Sequence, residues 1–323
     1  MKKVLIVGAP RSGSTWVSYV LGQHPDVVGW HQATFQSYLA GVDLWRRDRR
    51  WSHLSGQPED SSVETLADAL PLGEFRSELA AFADHVYGAV AASKPGASVV
   101  VDKQPENCRI ARRIHAVDPD VYFLHVIRDP RSVFVSQRAA SQGWANFEFP
   151  TRPCDGADLW LSDVRRARTI ASFSDRYLEV RYEDMHADGE RVLAQIHDFV
   201  GIDSTALQRA EAIAAHTTDK MRQAAALPDG FVREASTAGW VNSLTADEVA
   251  VIEHVAGPAM DDLGYARTRR GGRPPPAVRR HRLAERLVSI ADRGASAMRW
   301  RAHRALIGRT PDWVPDITEP DER

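Results

Sequence analysis

Three cations stand where apolar runs end. Arg11 follows Val4-Leu5-Ile6-Val7-Gly8-Ala9-Pro10, Lys103 follows Ser98-Val99-Val100-Val101-Asp102, and Arg128 follows the run from Val121 to Ile127. The first sits in a glycine turn, Gly8-x4-Gly13, that runs on into Ser14-Thr15-Trp16. A tight turn between a buried strand and a helix start binds an anion, because unpaired backbone N–H groups and the positive end of the helix dipole converge there. The spacing is that of a Walker A loop, yet Ser14 stands where the lysine belongs. That lysine neutralises the β- and γ-phosphates of a nucleoside triphosphate. Its absence weakens a kinase reading and moves the cation inside the loop, to Arg11. A Gly/Ser surface turn without a ligand is the plain alternative.

Two more positions suit proton or anion chemistry. His31 lies just past Val27-Val28-Gly29-Trp30, and residues at the carboxyl ends of parallel strands line the crevice of an open α/β sheet. An imidazole with a reference pKa of about 6.5 can take a proton there, although a hydrogen-bonded loop histidine reads the same way in sequence. Pro130 opens a helix after Arg128-Asp129. Ser136, eight positions past Arg128, can then face the same pocket. The planar fork of arginine matches a phosphate; an ion pair of Arg128 with Asp129 or Asp102 is the alternative.

Positioning these groups needs strands that end at one edge of a sheet. Continuous apolar, β-branched runs predict buried strands over Val4 to Val7, Val27 to Gly29, Ser98 to Val101, Val121 to Ile127 and Tyr177 to Tyr182. Helical spacing predicts helices from Ser14, over Glu74 to Ser93, from Ile110 to Val117, from Pro130, through Leu159 to Ala171 and through Val192 to Val200. Gly201 stops the last of these, and the capping box Thr245-x-x-Glu248 opens another. The fold class expected is α/β: a single P-loop-like domain over residues 1–265, with a central parallel sheet flanked by helices. Residues 266–278, with Gly271-Gly272-Arg273-Pro274-Pro275-Pro276, read as a linker. Residues 279–323 read as a basic helical C-terminal extension.

The loop Pro10 to Trp16 resembles the 5′-phosphosulfate loop of sulfotransferases that use 3′-phosphoadenosine 5′-phosphosulfate (PAPS), and Arg128 with Ser136 resembles their 3′-phosphate site. Asp102-Lys103-Gln104-Pro105-Glu106-Asn107 is similar to an acidic-Lys-x-Pro-x-Asn turn of bacterial and carbohydrate-type members. Tyr182-Glu183-Asp184 is similar to the segment that closes their last parallel strand, and His216-Thr217-Thr218 to one that touches the adenosine. Arg233 matches the arginine of an Arg-Lys-Gly loop whose other two positions are here Glu234 and Ala235. The resemblance covers about residues 1–265. It implies a bacterial sulfotransferase that moves a sulfuryl group from PAPS to a hydroxyl of a small-molecule, carbohydrate or lipid acceptor and releases 3′,5′-ADP (PAP). Arg11, Ser12, Gly13, Ser14, Thr15 and Trp16 would hold the phosphosulfate and adenine side, with Arg128, Ser136, Tyr182, Thr217 and Arg233 around the rest of the nucleotide. Lys103 would stabilise charge on the bridging oxygen. His31 is the first candidate for the base and Asp102 the second. No metal is expected.

The composition is that of a globular chain: 323 residues, net charge −2, and Cys108 and Cys154 as the only cysteines. The charge argues against general nucleic-acid binding, and two cysteines supply neither a disulfide framework nor a structural zinc site, which suits a cytoplasmic protein. Residues 43–62, with Trp45 and Trp51 among Arg46, Arg47, Arg49 and Arg50, read as a mobile insertion over an acceptor or as a charged loop. Thirteen arginines lie between Arg267 and Arg309. An amphipathic helix there can lie on an anionic membrane, such as the inner membrane face, or pack on its own domain or a second copy. A P-loop nucleotide kinase and a non-enzymatic adaptor that uses this tail are the rival functions.

Overall fold

The computed structural model describes residues 1–31, 35–36, 39, 70–145, 149–217, 220–221, 238–268, 273–280 and 283. Arg233, the insertion over 43–62 and nearly all of the basic extension lie outside the described residues. The chain divides into one compact unit of Met1–Ala40 with Arg76–Arg279 and a second of Gly41–Phe75 with Arg280–Arg323.

In the first unit the strands are β1 (Lys2–Val7), β2 (Val27–His31), β3 (Val99–Lys103), β4 (Tyr122–Ile127) and β5 (Tyr177–Arg181), all parallel in the order β2-β3-β1-β4-β5. Between them run α1 (Ser14–Leu21), α2 (Leu72–Ala92), α3 (Ala111–Val117), α4 (Pro130–Gln142) and α5 (Pro153–Thr169). After β5 come α6 (Tyr182–Ala187), α7 (Gly189–Val200), α8 (Ala206–Ala215), α9 (Trp240–Ser243) and α10 (Ala246–Asp262). A 3₁₀ turn over Pro105–Arg109 follows β3. Helix α8, which the apolar pattern left unread, opens on the capping box Thr205-x-x-Gln208. Among the described residues no helix is long and apolar enough to cross a membrane.

Alternation of side chains sorts the sheet into two faces. Val4, Ile6, Val27, Val99, Val101, Leu124, Val126 and Val180 pack with Val17, Val20 and Leu21 of α1 and Val192, Leu193 and Ile196 of α7. Leu5, Val7 and Phe123 pack on the other face with Ala111 and Ile114 of α3 and Ala167 of α5. Val100 joins Ala83 and Tyr87 of α2 on that second face. Every strand ends at the same edge, so the loops that follow β1 to β5 converge there.

Lys94 ties the turn beneath α1 to the sheet. Its ammonium donates to the carbonyls of Gly22 (2.9 Å), His24 (2.6 Å) and Val27 (2.7 Å). Two of these carbonyls lie in the turn after α1 and one at the first residue of β2, and the His24 carbonyl also accepts from the Val27 N–H at 3.1 Å. Lys94→Met is expected to cost about 2 kcal/mol, one to two charged hydrogen bonds after exchange with water. Urea unfolding should show a lower midpoint at an unchanged slope; an unchanged midpoint would mean water serves these carbonyls equally well.

Candidate active site

The turn after β1 is shaped by residues with left-handed backbone. Gly8 (φ 135°) donates its N–H to the Pro105 carbonyl at 3.0 Å, and a side chain there would press on the Val126 carbonyl. Arg11 holds φ 73°, the only positive value at a non-glycine among the described residues. That conformation is sterically costly for a long side chain. Gly13 (φ 93°) caps α1 and brings no side chain to its amides. The Ser12 N–H is turned back to the Ala9 carbonyl (3.3 Å), while the Val17 N–H is satisfied by Gly13 (3.2 Å). The amides of Ser14, Thr15 and Trp16, in the first turn of α1, have no carbonyl partner within the helix. The Ser12 hydroxyl is buried with no hydrogen-bond partner among the described residues. An uncapped helix start and an orphaned hydroxyl in one loop fit an anion.

Strand parity decides which strand-end residues join this loop. Val99, Val101 and Lys103 share the face that carries α1, and His31 stands opposite Lys103 in the parallel register. Lys103 is buried and makes no hydrogen bond or ion pair among the described residues; burial lowers its pKa. His31 is pushed down to about 4, by burial first and then by the Lys103 charge, so its imidazole is neutral near pH 7. Its Nδ1 lies 3.5 Å from the Ser18 hydroxyl, and its ring stacks on Tyr19 at 4.6 Å.

Asp102 points the other way. Its Oδ2 accepts from the Tyr87 hydroxyl at 2.7 Å, and Tyr87 in turn accepts from Gln36 at 2.8 Å. Burial raises the carboxyl to about 7. A base one residue from Lys103 is necessarily on the opposite face of the strand, and the structure does not bring Asp102 to the loop.

Arg128 continues the first face past the end of β4. Its guanidinium lies 4.2 Å from the centre of the Tyr182 ring. Its neighbour Asp129 caps α4 by accepting from the Arg131 N–H and pairs with the Arg131 side chain at 2.6 Å; Arg131 also pairs with Glu253 at 2.7 Å. The acid beside Arg128 is thus engaged elsewhere. Arg11 Nε donates to the Ser136 hydroxyl at 3.1 Å, joining the first loop to α4. Arg11 is pushed down to about 10 by burial and then by Arg128, so the two guanidiniums lie within reach of each other's field. Arg11, Ser136, Arg128 and Tyr182 form one cluster.

The Trp16 indole donates to the His216 carbonyl at 2.8 Å, meets Tyr182 edge-on at 5.6 Å and stacks on His186 at 4.5 Å. The His216 ring stacks on Tyr19 at 5.7 Å. Thr217 is exposed and offers its carbonyl to the Met221 N–H at 2.9 Å. Trp144, just past α4, places its ring 5.4 Å from the Arg11 guanidinium. Tyr19, His186 and Trp144 were not singled out from sequence. Helical spacing held a signal for two of them, since Tyr19 follows Trp16 by three residues and His186 follows Tyr182 by four.

A profile described as the Sulfotransferase family matches residues 3–206, more than half of the chain. No curated protein matches the sequence. Among solved structures, the sulfotransferase domain from the curacin biosynthetic pathway has 16% identity and a TM-score of 0.52, with 82% of this chain and 98% of that one covered. The sulfotransferase domain from the Synechococcus PCC 7002 olefin synthase has 17% identity and a TM-score of 0.51, covering 82% and 95%. Mouse sulfotransferase SULT7A1 complexed with PAP has 14% identity and a TM-score of 0.51, covering 81% and 86%. At these identities the likeness is one of fold.

A Cβ added at Gly13 would overlap the Tyr182 ring and would sit on a left-handed backbone. Gly13→Ala is expected to cost about 1–3 kcal/mol, read as a lower melting temperature. Adding Tyr182→Ala should return part of that loss. Strict additivity of the two changes would show that the ring does not press on the turn.

Proposed function

We propose that this chain, which belongs to the sulfotransferase family, takes its sulfuryl group from PAPS and delivers it to a hydroxyl of a small-molecule, carbohydrate or lipid acceptor. The observation that carries the reading is a second cationic position beside the first loop. Arg128, with Ser136, stands next to the anion cradle of Arg11 and α1. One phosphate group needs one such position, whereas a nucleotide phosphorylated on both its 5′ and 3′ sides needs two. A kinase site would keep a lysine after Gly13, where this chain has Ser14.

When bound, PAPS supplies the reacting group: its sulfur–oxygen bond to the 5′-phosphate breaks as a bond to the acceptor oxygen forms, and 3′,5′-ADP leaves. The chain's own residues orient and neutralise. Arg11 and the amides of Ser14, Thr15 and Trp16 would hold the phosphosulfate, and Arg128 and Ser136 the 3′-phosphate. Arg233, outside the described residues, is assigned with them from the family motif. Trp16 and Tyr182 would flank the adenosine, with Thr217 at its margin. Lys103 would place its ammonium against the charge that grows on the leaving oxygen. His31 would accept the acceptor's proton on a ring nitrogen, for which it must be neutral. Its place across the ladder from Lys103 supports that role over Asp102. We assign the activity to residues 1–265, with the basic extension as an accessory.

Titration calorimetry with 3′,5′-ADP, 5′-AMP and ATP tests the cofactor. Tight binding of 3′,5′-ADP is expected, weakened about tenfold to a hundredfold by Arg128→Ala; preference for ATP with magnesium would overturn the reading. Once an acceptor is in hand, Lys103→Met should lower kcat by roughly a hundredfold to a thousandfold. With His31 pushed down to about 4, kcat/KM should hold as pH falls past 6.5 and decline only toward pH 4, where the protonated ring loses its lone pair. His31→Gln should remove that acid limb along with most of the rate, and an unchanged profile in the variant would exclude His31 as the base.

A further inference from the structure

His186 has no part in the scheme above, yet it touches two of its members. It lies one helical turn after Tyr182 on α6, so both side chains leave the same face of the helix. Its ring is parallel to Trp16, at 4.5 Å and 13°, and meets Tyr182 edge-on at 4.5 Å. Trp16 and Tyr182 touch each other as well, so the three rings close a triangle. The Arg128 guanidinium lies on the Tyr182 member of it. Tyr182 is buried, whereas His186 is exposed, which leaves part of its imidazole open to a ligand. Loss of hydration against the neighbouring rings, and then the Arg128 charge, lower its pKa. Arg128 is the one charged group that acts on it among the described residues. Helix α1 faces it with Trp16, which does not titrate, and Tyr182 is a phenol whose pKa is raised by burial.

We propose that His186 is a third nucleotide-reading side chain, whose imidazole beside Trp16 and Arg128 gains a proton when a 3′-phosphorylated nucleotide binds. The inference rests on reading Arg128 and Ser136 as the 3′-phosphate site. Without a ligand, Arg128 repels a proton from the ring. A dianion seated on Arg128 reverses the sign of the local charge, and a nearby negative charge favours the protonated imidazole. The proton adds to the ring nitrogen from solvent, with no other bond made or broken. Because the pKa rises on binding, the complex holds more proton than the free protein. Affinity therefore increases as pH falls through the bound pKa and levels off below the free one.

Calorimetry of the full chain with 3′,5′-ADP, in two pH 7 buffers of different ionisation enthalpy, counts protons taken up. His186→Gln removes the titrating ring, and His186→Phe keeps a ring on Trp16 without the proton site. The phosphates themselves titrate, so the difference between proteins is the readout. Wild type is expected to take up a larger fraction of a proton than either variant. Between pH 8 and pH 6 its affinity should tighten about threefold to tenfold more than theirs, with no such difference for 5′-AMP. Equal proton uptake in the three proteins, while Arg128→Ala still weakens binding, overturns the role of His186 and leaves the nucleotide reading standing. Failure of wild type to bind 3′,5′-ADP overturns both.

Discussion

Arg11 and Arg128 bring like charges into one partly buried region, and the rest of the site is arranged around holding them there. Burial first, and then the Arg128 charge, lower the pKa of Arg11. Several restraints are contacts that fix a cation without neutralising it. Arg128 rests on the Tyr182 face, Arg11 lies near the Trp144 ring, and Ser136 accepts one Arg11 hydrogen. Cation–π contacts of this kind contribute about 0.5–2 kcal/mol and leave the positive field directed outward.

The neighbouring acids would quench that field if they were free to turn. They are engaged by other partners. Asp129, adjacent to Arg128, is taken by the α4 N-terminus and Arg131, whose other side pairs with Glu253. Glu253 is itself fixed by the Thr268 N–H and hydroxyl. Glu183, adjacent to Tyr182, accepts from the Asp129 N–H and the Tyr265 hydroxyl. The Trp160 indole holds the Arg128 carbonyl. A buried network with this degree of satisfaction is rigid, and it orients Arg128 through the backbone. The Arg131–Asp129–Glu253 cluster therefore supports the position of Arg128 from the adjoining residue.

Much of this was legible in the amino-acid order. Parallel strands buried on both faces must be apolar along their whole length, so β1, β3 and β4 stood out as continuous runs. The Gly8-to-Gly13 turn, Pro130 at the start of α4 and the Thr245 capping box are local devices whose physics lies within a few residues. The Arg11 loop and the Arg128-to-Ser136 spacing could accordingly be placed at strand ends from sequence, and the structure brings Arg11, Ser136, Arg128 and Tyr182 together.

Contacts across the fold were decided only by tertiary packing. Asp102 and Lys103 are neighbours in sequence and equal candidates there, but a one-residue step along a strand reverses the face. Register with β2 then sets His31 beside Lys103, while Asp102 turns to Tyr87. His186, His216 and Trp144 approach α1 and its loop from segments more than a hundred residues away. Nothing local to them announces an encounter that depends on how α4, α6 and α8 settle on the sheet. The sequence by itself determined the strands, their polarity of use and the glycine turn after β1, because each follows from short-range periodicity and backbone geometry. Which faces meet, which acids are spent on internal pairs and which rings enclose the site are set by long-range packing, because those choices depend on the register and docking of whole elements.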